Sequence, residues 1–336
     1  MKLLSPTLSV ALATALTLAA FNAPAGPLLD RIKERLSTRA ESRTATPSLG
    51  PSTPEQTLEE PYAQDASTAS GAAARKVLRD LAYGSDPKQR MDVYLPAAPG
   101  AGQGAAPVIF MVHGGAWRMG DKRMGRVVEN KTARWLPKGF VFVSVNNRLL
   151  PEADPLDQVR DVAQALATAQ ALAASWGGDP QQFILMGHSA GAHLVALLSS
   201  SPTLGPDAGA KPWLGTIALD SAALDVAPIM QRRHYKLYDP AFGTDPTFWK
   251  AASPLQQLYA GAKPLLAVCS SRRAESCEQA RAFAAHASQL NVRAQVLPQD
   301  MSHGEINELL GQAADYTQAV ESFMSSLSPG VASRLR

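Results

Sequence analysis

The sequence has little excess charge of either sign. Its 336 residues carry 32 Lys and Arg against 29 Asp and Glu, a formal net charge of +3, and no basic run stands out. Binding to nucleic acid relies on clustered cations, so the composition gives no argument for such a partner. Hydrophobic residues make up 46% of the chain, which can fill the core of one large α/β domain or two small ones.

The sequence also has no apolar run of the length that a membrane-spanning helix needs, about 20 residues. Instead, Lys2 precedes an apolar run at residues 8–20, and three small residues follow at 23–25. This pattern is typical of a secretory signal peptide. We expect cleavage of residues 1–25 and a periplasmic or secreted protein without stable membrane insertion. The alternative is an uncleaved membrane anchor.

Cysteine is scarce, with only Cys269 and Cys277 in the chain. In an exported protein, two cysteines eight residues apart indicate a disulfide. The alternative is a pair of unpaired thiols. We expect the bridge, which would constrain a loop close to the predicted site.

Residues 26–75 are poor in large apolar side chains, so we expect a flexible linker there, followed by a folded domain at 76–330. Strand and helix patterns alternate through most of this domain. That alternation is typical of an α/β protein with a mostly parallel central sheet and helices on both faces. Apolar runs predict strands at 77–83, 91–95, 107–112, 139–145, 183–187, 213–219, 264–268 and 292–297; helices are predicted at 157–175, 278–290 and 305–327.

The G-x-S-x-G motif at residues 187–191 lies between an apolar strand pattern and an apolar helix pattern. A serine at such a sharp strand-to-helix turn is exposed as a nucleophile. Gly187 and Gly191 allow the backbone to crowd there because they carry no Cβ. We therefore predict Ser189 as a catalytic nucleophile rather than the cap of a surface turn.

A second glycine-rich turn, at residues 113–117, follows a predicted strand. Acyl transfer develops negative charge on a carbonyl oxygen, and amide donors fixed in advance stabilise that charge. We predict the amides of Gly115, Ala116 and Ala190 as these donors, with Gly114 shaping the turn. Taken alone, the glycine pair is also consistent with an ordinary loop.

The sequence contains six histidines, and one lies where a general base is needed. His303 follows the last predicted strand and precedes a helix, so a loop can place its imidazole over the nucleophile. We also place Gly114, Trp117 and His188 on the substrate side of the site, although Trp117 is equally consistent with a core role. His188 is adjacent to the serine and is expected to point elsewhere.

The acid of a Ser–acid–His triad should lie between the serine and the histidine in the chain. The loop after the seventh predicted strand is its usual place, but Arg272 and Arg273 stand there. Glu275 is the carboxylate in that loop before the helix begins, so we predict Glu275 as the acid. Asp225 and Asp220, after the preceding strand, are the alternatives.

With these residues assigned, residues 76–327 resemble the α/β-hydrolase esterases that carry an HGG-type oxyanion loop. The branch that contains feruloyl esterases, acetyl-xylan esterases and kynurenine formamidases is the most similar. This resemblance implies the α/β-hydrolase fold and a serine hydrolase that needs no metal or cofactor. The motifs that carry it are Tyr83-Gly84, Met91-Asp92-Val93-Tyr94-Leu95-Pro96, His113-Gly114-Gly115-Ala116-Trp117, Asn147-Arg148-Leu149, Gly187-His188-Ser189-Ala190-Gly191, Ala252-Ser253-Pro254 and His303-Gly304-Glu305-Ile306-Asn307.

The expected function is that of an exported serine carboxylesterase acting on short-chain or aromatic acyl esters through an acyl-enzyme. Acetyl or feruloyl groups on polysaccharide are the substrates that best suit an exported enzyme. One alternative is an arylformamidase that cleaves N-formylkynurenine with the same residues. Another is a catalytically inactive binding protein with a hydrolase fold. The absence of an aspartate from the loop after the seventh predicted strand would favour that alternative.

Overall fold

The computed structural model describes residues 76–97, 104–312 and 314–336. The predicted signal peptide at 1–25 and linker at 26–75 lie outside these residues. No helix in the described ranges is long and apolar enough to cross a membrane. The strands are β1 Lys76–Ala82, β2 Arg90–Leu95, β3 Ala106–Val112, β4 Val141–Val145, β5 Gly178–His188, β6 Gly215–Leu219, β7 Leu265–Ser270 and β8 Ala294–Gln299; the helices are α1 Gly125–Trp135, α2 Pro155–Leu172, α3 Ala190–Ser200, α4 Leu204–Asp207, α5 Val226–Met230, α6 Asp239–Phe242, α7 Pro246–Ala251, α8 Pro254–Gln257, α9 Ala274–Gln289, α10 His303–Glu308, α11 Asp315–Ser325 and α12 Pro329–Leu335, with 3₁₀ turns at Ala173–Trp176 and Lys236–Tyr238.

The eight strands form one sheet in the order β1-β2-β4-β3-β5-β6-β7-β8. The β1–β2 and β2–β4 pairs are antiparallel, and the pairs from β4 across to β8 are parallel. This arrangement confirms the predicted mostly parallel sheet, in which β2 runs antiparallel to its two neighbours β1 and β4. The carboxyl ends of β3, β5, β6, β7 and β8 lie along the same edge, where ligand sites of such sheets are found.

Helices cover both faces of the sheet, which explains why its central strands are continuously apolar. Every residue of β3 and β4 is buried. Alternate side chains of β3 pack on opposite faces: Phe110 joins a core with α2 and α3, whereas Ile109 joins a core with α1, α11 and α12. A strand buried on both faces gains from apolar residues at every position, not only at every second one.

The single helix predicted at 305–327 is wrong, because two helices, α10 and α11, occupy this segment. Gly311 interrupts them with a φ of +104°, a conformation that residues with a Cβ rarely adopt. A Cβ at Gly311 would also lie less than 3.0 Å from the carbonyl group of Asn130 on α1. The break therefore lets the chain pass close to α1 before α11 begins.

Cys269 and Cys277 form a disulfide, as predicted. The bridge links the end of β7 to the first turns of α9 and closes the intervening loop, residues 270–276. Both cysteines are buried, with exposed fractions of 0% and 3%. The loop after β7 is thus fixed at both ends, and its side chains enter the site described next.

Candidate active site

Ser189 occupies a strained turn between β5 and α3. Its φ of +54° and ψ of −117° lie outside the regions that non-glycine residues favour. Such strain persists where surrounding contacts over-determine the backbone. Here the Ser189 amide donates to the carbonyl of Leu219 at 2.9 Å, which ties the turn to the end of β6. This geometry is that of a nucleophile turn, with the serine facing the carboxyl edge of the sheet.

Both glycines of the motif are required sterically. A Cβ at Gly187 would lie less than 3.0 Å from the backbone of Gly191 and Ala192, and one at Gly191 would lie equally close to the carbonyl groups of Val112 and His113. The strand end, the helix start and the loop after β3 therefore approach one another more closely than residues with a Cβ allow. The spacing of the two glycines is a packing requirement of the turn.

We expect Gly191→Ala to lower the melting temperature markedly, because relieving the clash must displace backbone atoms of β3 and α3. Overpacking of this kind costs about 1–3 kcal/mol, which corresponds to several degrees. Gly304→Ala is the matched control, since a Cβ at Gly304 meets no atom within 4 Å. Thermal unfolding followed by circular dichroism measures both. Equal melting temperatures for the two variants would contradict the steric argument.

The loop after β3, residues 113–117, lies against the nucleophile turn. A Cβ placed on Gly114 would be 3.0 Å from the Cβ of Ser189, so the two backbones are in contact. Gly115 and Ala116 have φ values of +132° and +49°. Within the described residues, no backbone hydrogen bond engages the amides of Gly115, Ala116 or Ala190. The loop that carries Gly115 and Ala116 thus contacts the Ser189 turn, and the three predicted donor amides have no main-chain acceptor within the described ranges.

The side chain of Trp117, the last residue of this loop, is buried in the core. Its indole is 4% exposed and donates a hydrogen bond to Nδ1 of His193 at 3.2 Å. The ring also packs edge-on against Phe242, with centroids 4.9 Å apart. The structure thus places Trp117 in its alternative, structural position, where it supports the loop from below.

His188 contacts His303 rather than an open substrate face. Its Nε2 lies 2.9 Å from the main-chain carbonyl of His303, and the two rings are 4.5 Å apart. Burial lowers the pKa of His188 well below its usual value. The imidazole is therefore neutral and donates its Nε2–H to that carbonyl, because a carbonyl oxygen only accepts. This bond fixes the first residue of α10 beside the nucleophile turn.

The carboxylate on His303 belongs to Asp220, not to Glu275. Oδ2 of Asp220 lies 2.6 Å from Nδ1 of His303, and the Asp220 side chain is fully buried. Glu275 is exposed in the first turn of α9 and makes no hydrogen bond or ion pair with His303. Asp225, the other alternative, lies at the start of α5, where its amide donates to Gln279.

Asp220 rather than Glu275 contacts His303 because of the way the loop after β7 folds. It directs Arg273 and Ser276 inward to Asp220 and leaves Glu275 in solvent. Asp220 itself has a φ of +55°, so it is, like Ser189, a non-glycine residue held in a strained backbone conformation at the carboxyl edge of the sheet. Asp220 was among the sequence alternatives, and its position at the end of β6 was the available signal. Ser270, Arg273 and Ser276 gave no sequence signal as partners of the acid.

Asp220 accepts hydrogen bonds at both carboxylate oxygens. Oδ1 accepts from the amide of Ser270 at 2.7 Å and from the hydroxyl of Ser276, while Oδ2 accepts from His303 and Arg273. Burial alone would raise the pKa of Asp220, but these bonds and the Arg273 charge lower it well below its usual range. The residue is a fixed anion, and its three donors other than His303 all come from the disulfide-closed loop.

Asp220 and His303 are called the dyad below. A cavity of about 100 Å³ opens next to Arg273, which contacts both residues of the dyad. Arg273 forms one wall of the cavity. The remaining lining combines apolar and aromatic side chains with a charged rim that carries both signs. Its members include Ala222, Ile229, Tyr235 and Tyr238.

Comparison with known proteins agrees with this architecture. Residues 91–205 match the family model BD-FAE. The chain is 35% identical over 123 residues to the probable isoprenylcysteine alpha-carbonyl methylesterase ICME of Oryza sativa, covering 37% of this chain and 28% of that protein. It is 30% identical over 205 residues to esterase LipQ of Mycobacterium tuberculosis, covering 55% of this chain and 46% of that protein. The chain thus spans less than half the length of these two curated relatives.

Among solved structures, a truncated carbohydrate esterase from gut microbiota superposes with a TM-score of 0.63 at 18% identity. The alignment covers 76% of this chain and 98% of that one. Together with the sheet order and the strained serine turn, this similarity defines the class: the chain has the α/β-hydrolase fold.

Proposed function

We propose that this chain is a serine carboxylesterase with Ser189 as nucleophile, His303 as general base and Asp220 as the acid. The observation that carries the proposal is the 2.6 Å contact between Asp220 and Nδ1 of His303, formed beside the strained Ser189 turn. A buried carboxylate on Nδ1 holds the imidazole in the tautomer that leaves Nε2 free to accept a proton.

In the proposed reaction, the Ser189 hydroxyl attacks an ester carbonyl while His303 Nε2 accepts its proton. The amides of Gly115, Ala116 and Ala190 stabilise the oxyanion, and the N-terminus of α3 adds its dipole. His303 then protonates the departing alcohol, and an acyl group remains on Ser189. Water, activated by the same imidazole, hydrolyses the acyl-enzyme and releases the acid.

The test combines turnover with covalent labelling. We expect the purified protein to hydrolyse p-nitrophenyl acetate and to be labelled by a fluorophosphonate probe, with the label mapped by mass spectrometry to the peptide that contains Ser189. Label at another serine would contradict the assignment of the nucleophile. A protein that neither hydrolyses the ester nor takes up the probe would contradict the proposed class and favour an inactive binding protein.

For the substrate, the cavity beside the dyad favours a small acyl group. Its volume is about 100 Å³, and one of its walls is Arg273, which contacts Asp220 and His303. We therefore propose short-chain acyl esters, with acetyl or feruloyl esters of polysaccharide as the natural candidates. A feruloyl group is larger than an acetyl group and would extend beyond this cavity.

A series of p-nitrophenyl esters tests the size limit. We expect kcat/KM for the octanoate to be at least about tenfold below that for the butyrate, because the added methylenes do not fit the cavity. Ile229→Ala removes part of one wall and so enlarges the cavity, which should reduce the difference in kcat/KM between the two esters. A preference for the octanoate in the wild type would show that the acyl chain binds elsewhere.

We further propose that the protein is exported after removal of residues 1–25. The signal-like pattern of the N-terminus supports this, as does the Cys269–Cys277 disulfide, since such bridges persist in oxidising compartments. N-terminal sequencing of the protein recovered from cell fractions tests it. A chain that retains Met1 and stays in the cytoplasm would contradict export.

A further inference from the structure

Arg273 stands in the loop after β7, where the acid was expected from the sequence, and it contacts both members of the dyad. Its Nη1 forms an ion pair with Oδ2 of Asp220, lies 3.4 Å from the Asp220 carbonyl oxygen and lies 2.8 Å from Nδ1 of His303. The Arg273 side chain is 16% exposed. One carboxylate oxygen is therefore shared between a guanidinium and an imidazole.

The protons on each nitrogen decide which of these contacts is a hydrogen bond. A guanidinium nitrogen only donates, and Nδ1 of His303 carries its single proton toward Asp220. Nη1 therefore donates to the Asp220 carboxylate. Its approach to Nδ1 is not a hydrogen bond, and it places a permanent positive charge beside the imidazole.

We propose that Arg273 is a positioning residue that fixes the Asp220 carboxylate on His303 and places a permanent positive charge beside the imidazole, so that this charge influences the pH dependence of catalysis. This rests on the proposed function. A carboxylate without a counter-ion would favour the imidazolium form of His303 before substrate binds. Arg273 offsets part of that effect, because like charges in contact disfavour each other.

Among the described residues, Asp220 and Arg273 are the charged side chains within hydrogen-bond distance of the His303 ring. His188, on the nucleophile turn, is neutral because of its burial. The remaining groups are on or packed against α10. Glu305 caps the start of α10 and pairs with Arg272, while Lys131 of α1 and Tyr316 of α11 both donate to main-chain carbonyls of α10.

The acid does not depend on Arg273 alone for its position. Oδ1 of Asp220 is held separately by the Ser270 amide and the Ser276 hydroxyl. A variant at Arg273 should therefore fold and keep its triad, so the effect of the charge can be measured in a working enzyme.

The experiment measures the pH dependence of kcat/KM for p-nitrophenyl acetate in Arg273→Gln and Arg273→Lys. For Arg273→Gln we expect the acid limb to move to higher pH by about one unit with KM within about twofold of wild type. Arg273→Lys keeps the charge and should leave the limb near its wild-type position. Arg272→Gln is the matched control, since it removes the same charge one residue away from a side chain that pairs with Asp300 and Glu305.

An acid limb that stays in place in Arg273→Gln would overturn the proposal. So would a rise in KM without movement of the limb, because Arg273 would then be a substrate-binding residue. NMR titration of the His303 ring in wild type and Arg273→Gln reads the same shift without turnover. A wild type that hydrolyses no ester would therefore sink the proposed function, while the ring titration would still decide the role of Arg273.

Discussion

Replacing Ser189 with alanine is expected to lower kcat for p-nitrophenyl acetate by about 10⁶-fold, the size of loss seen when a serine hydrolase loses its nucleophile. The reason is that no acyl-enzyme can form, while the oxyanion donors and the His303–Asp220 pair remain in place. The fold should persist, because the substitution removes one oxygen and leaves the glycines of the turn intact. Burst-phase and steady-state kinetics measure the loss.

Ser175→Ala provides the control for this variant. Ser175 lies in the 3₁₀ turn Ala173–Trp176, where its hydroxyl donates to the carbonyl of Leu172 and is remote in the fold from the carboxyl edge of the sheet. We expect wild-type kcat for that protein. If Ser189→Ala retained more than about a hundredth of the wild-type rate, a different nucleophile would have to be sought.

Asp220→Asn is expected to reduce kcat by about 10⁴-fold, as the equivalent change does in a serine-protease triad. The amide keeps the shape of the side chain, but it lacks the charge that stabilises the imidazolium and can hold the ring in the wrong tautomer. The mutant also leaves Arg273 without its counter-ion, so its melting temperature must be compared with that of wild type. Kinetics with p-nitrophenyl acetate on the folded protein give the result.

Glu275→Gln is the companion to this experiment, since Glu275 was the acid expected from the sequence. It is exposed and makes no contact with His303, so we expect kcat within about twofold of wild type. A large loss in Glu275→Gln together with a small one in Asp220→Asn would reverse the assignment and show that the loop after β7 rearranges during catalysis.

Sequence patterns predicted the parts of this molecule that local rules determine. The apolar runs of β3 and β4 are continuous because helices cover both faces of the sheet, so these strands could be read directly. The nucleophile turn could also be predicted from the sequence, because glycine is the only residue type that the close backbone contacts at positions 187 and 191 allow.

The acid could not be read in this way, because its identity depends on how two separate loops meet. Asp220 reaches His303 from a left-handed backbone conformation at the end of β6, which nothing in its neighbouring residues requires. Glu275 is in the expected loop, but its side chain is exposed to solvent. The side chain of the next residue, Ser276, is the one that faces inward. The break at Gly311 was missed for a similar reason, since it reflects contact with α1, which is distant in the chain.

Because of the bridge between Cys269 and Cys277, the measured activity of a protein preparation should depend on whether these two cysteines are oxidised. The bond encloses the residues that hold Asp220, so a chain with two thiols must keep its acid in place by hydrogen bonds on an open loop. The specific activity of protein made in a reducing cytoplasm would then report the fraction of molecules oxidised as well as the fraction folded. Because both sulfurs are buried, a thiol added to the folded enzyme would act slowly, and oxidised and reduced populations would coexist in one sample.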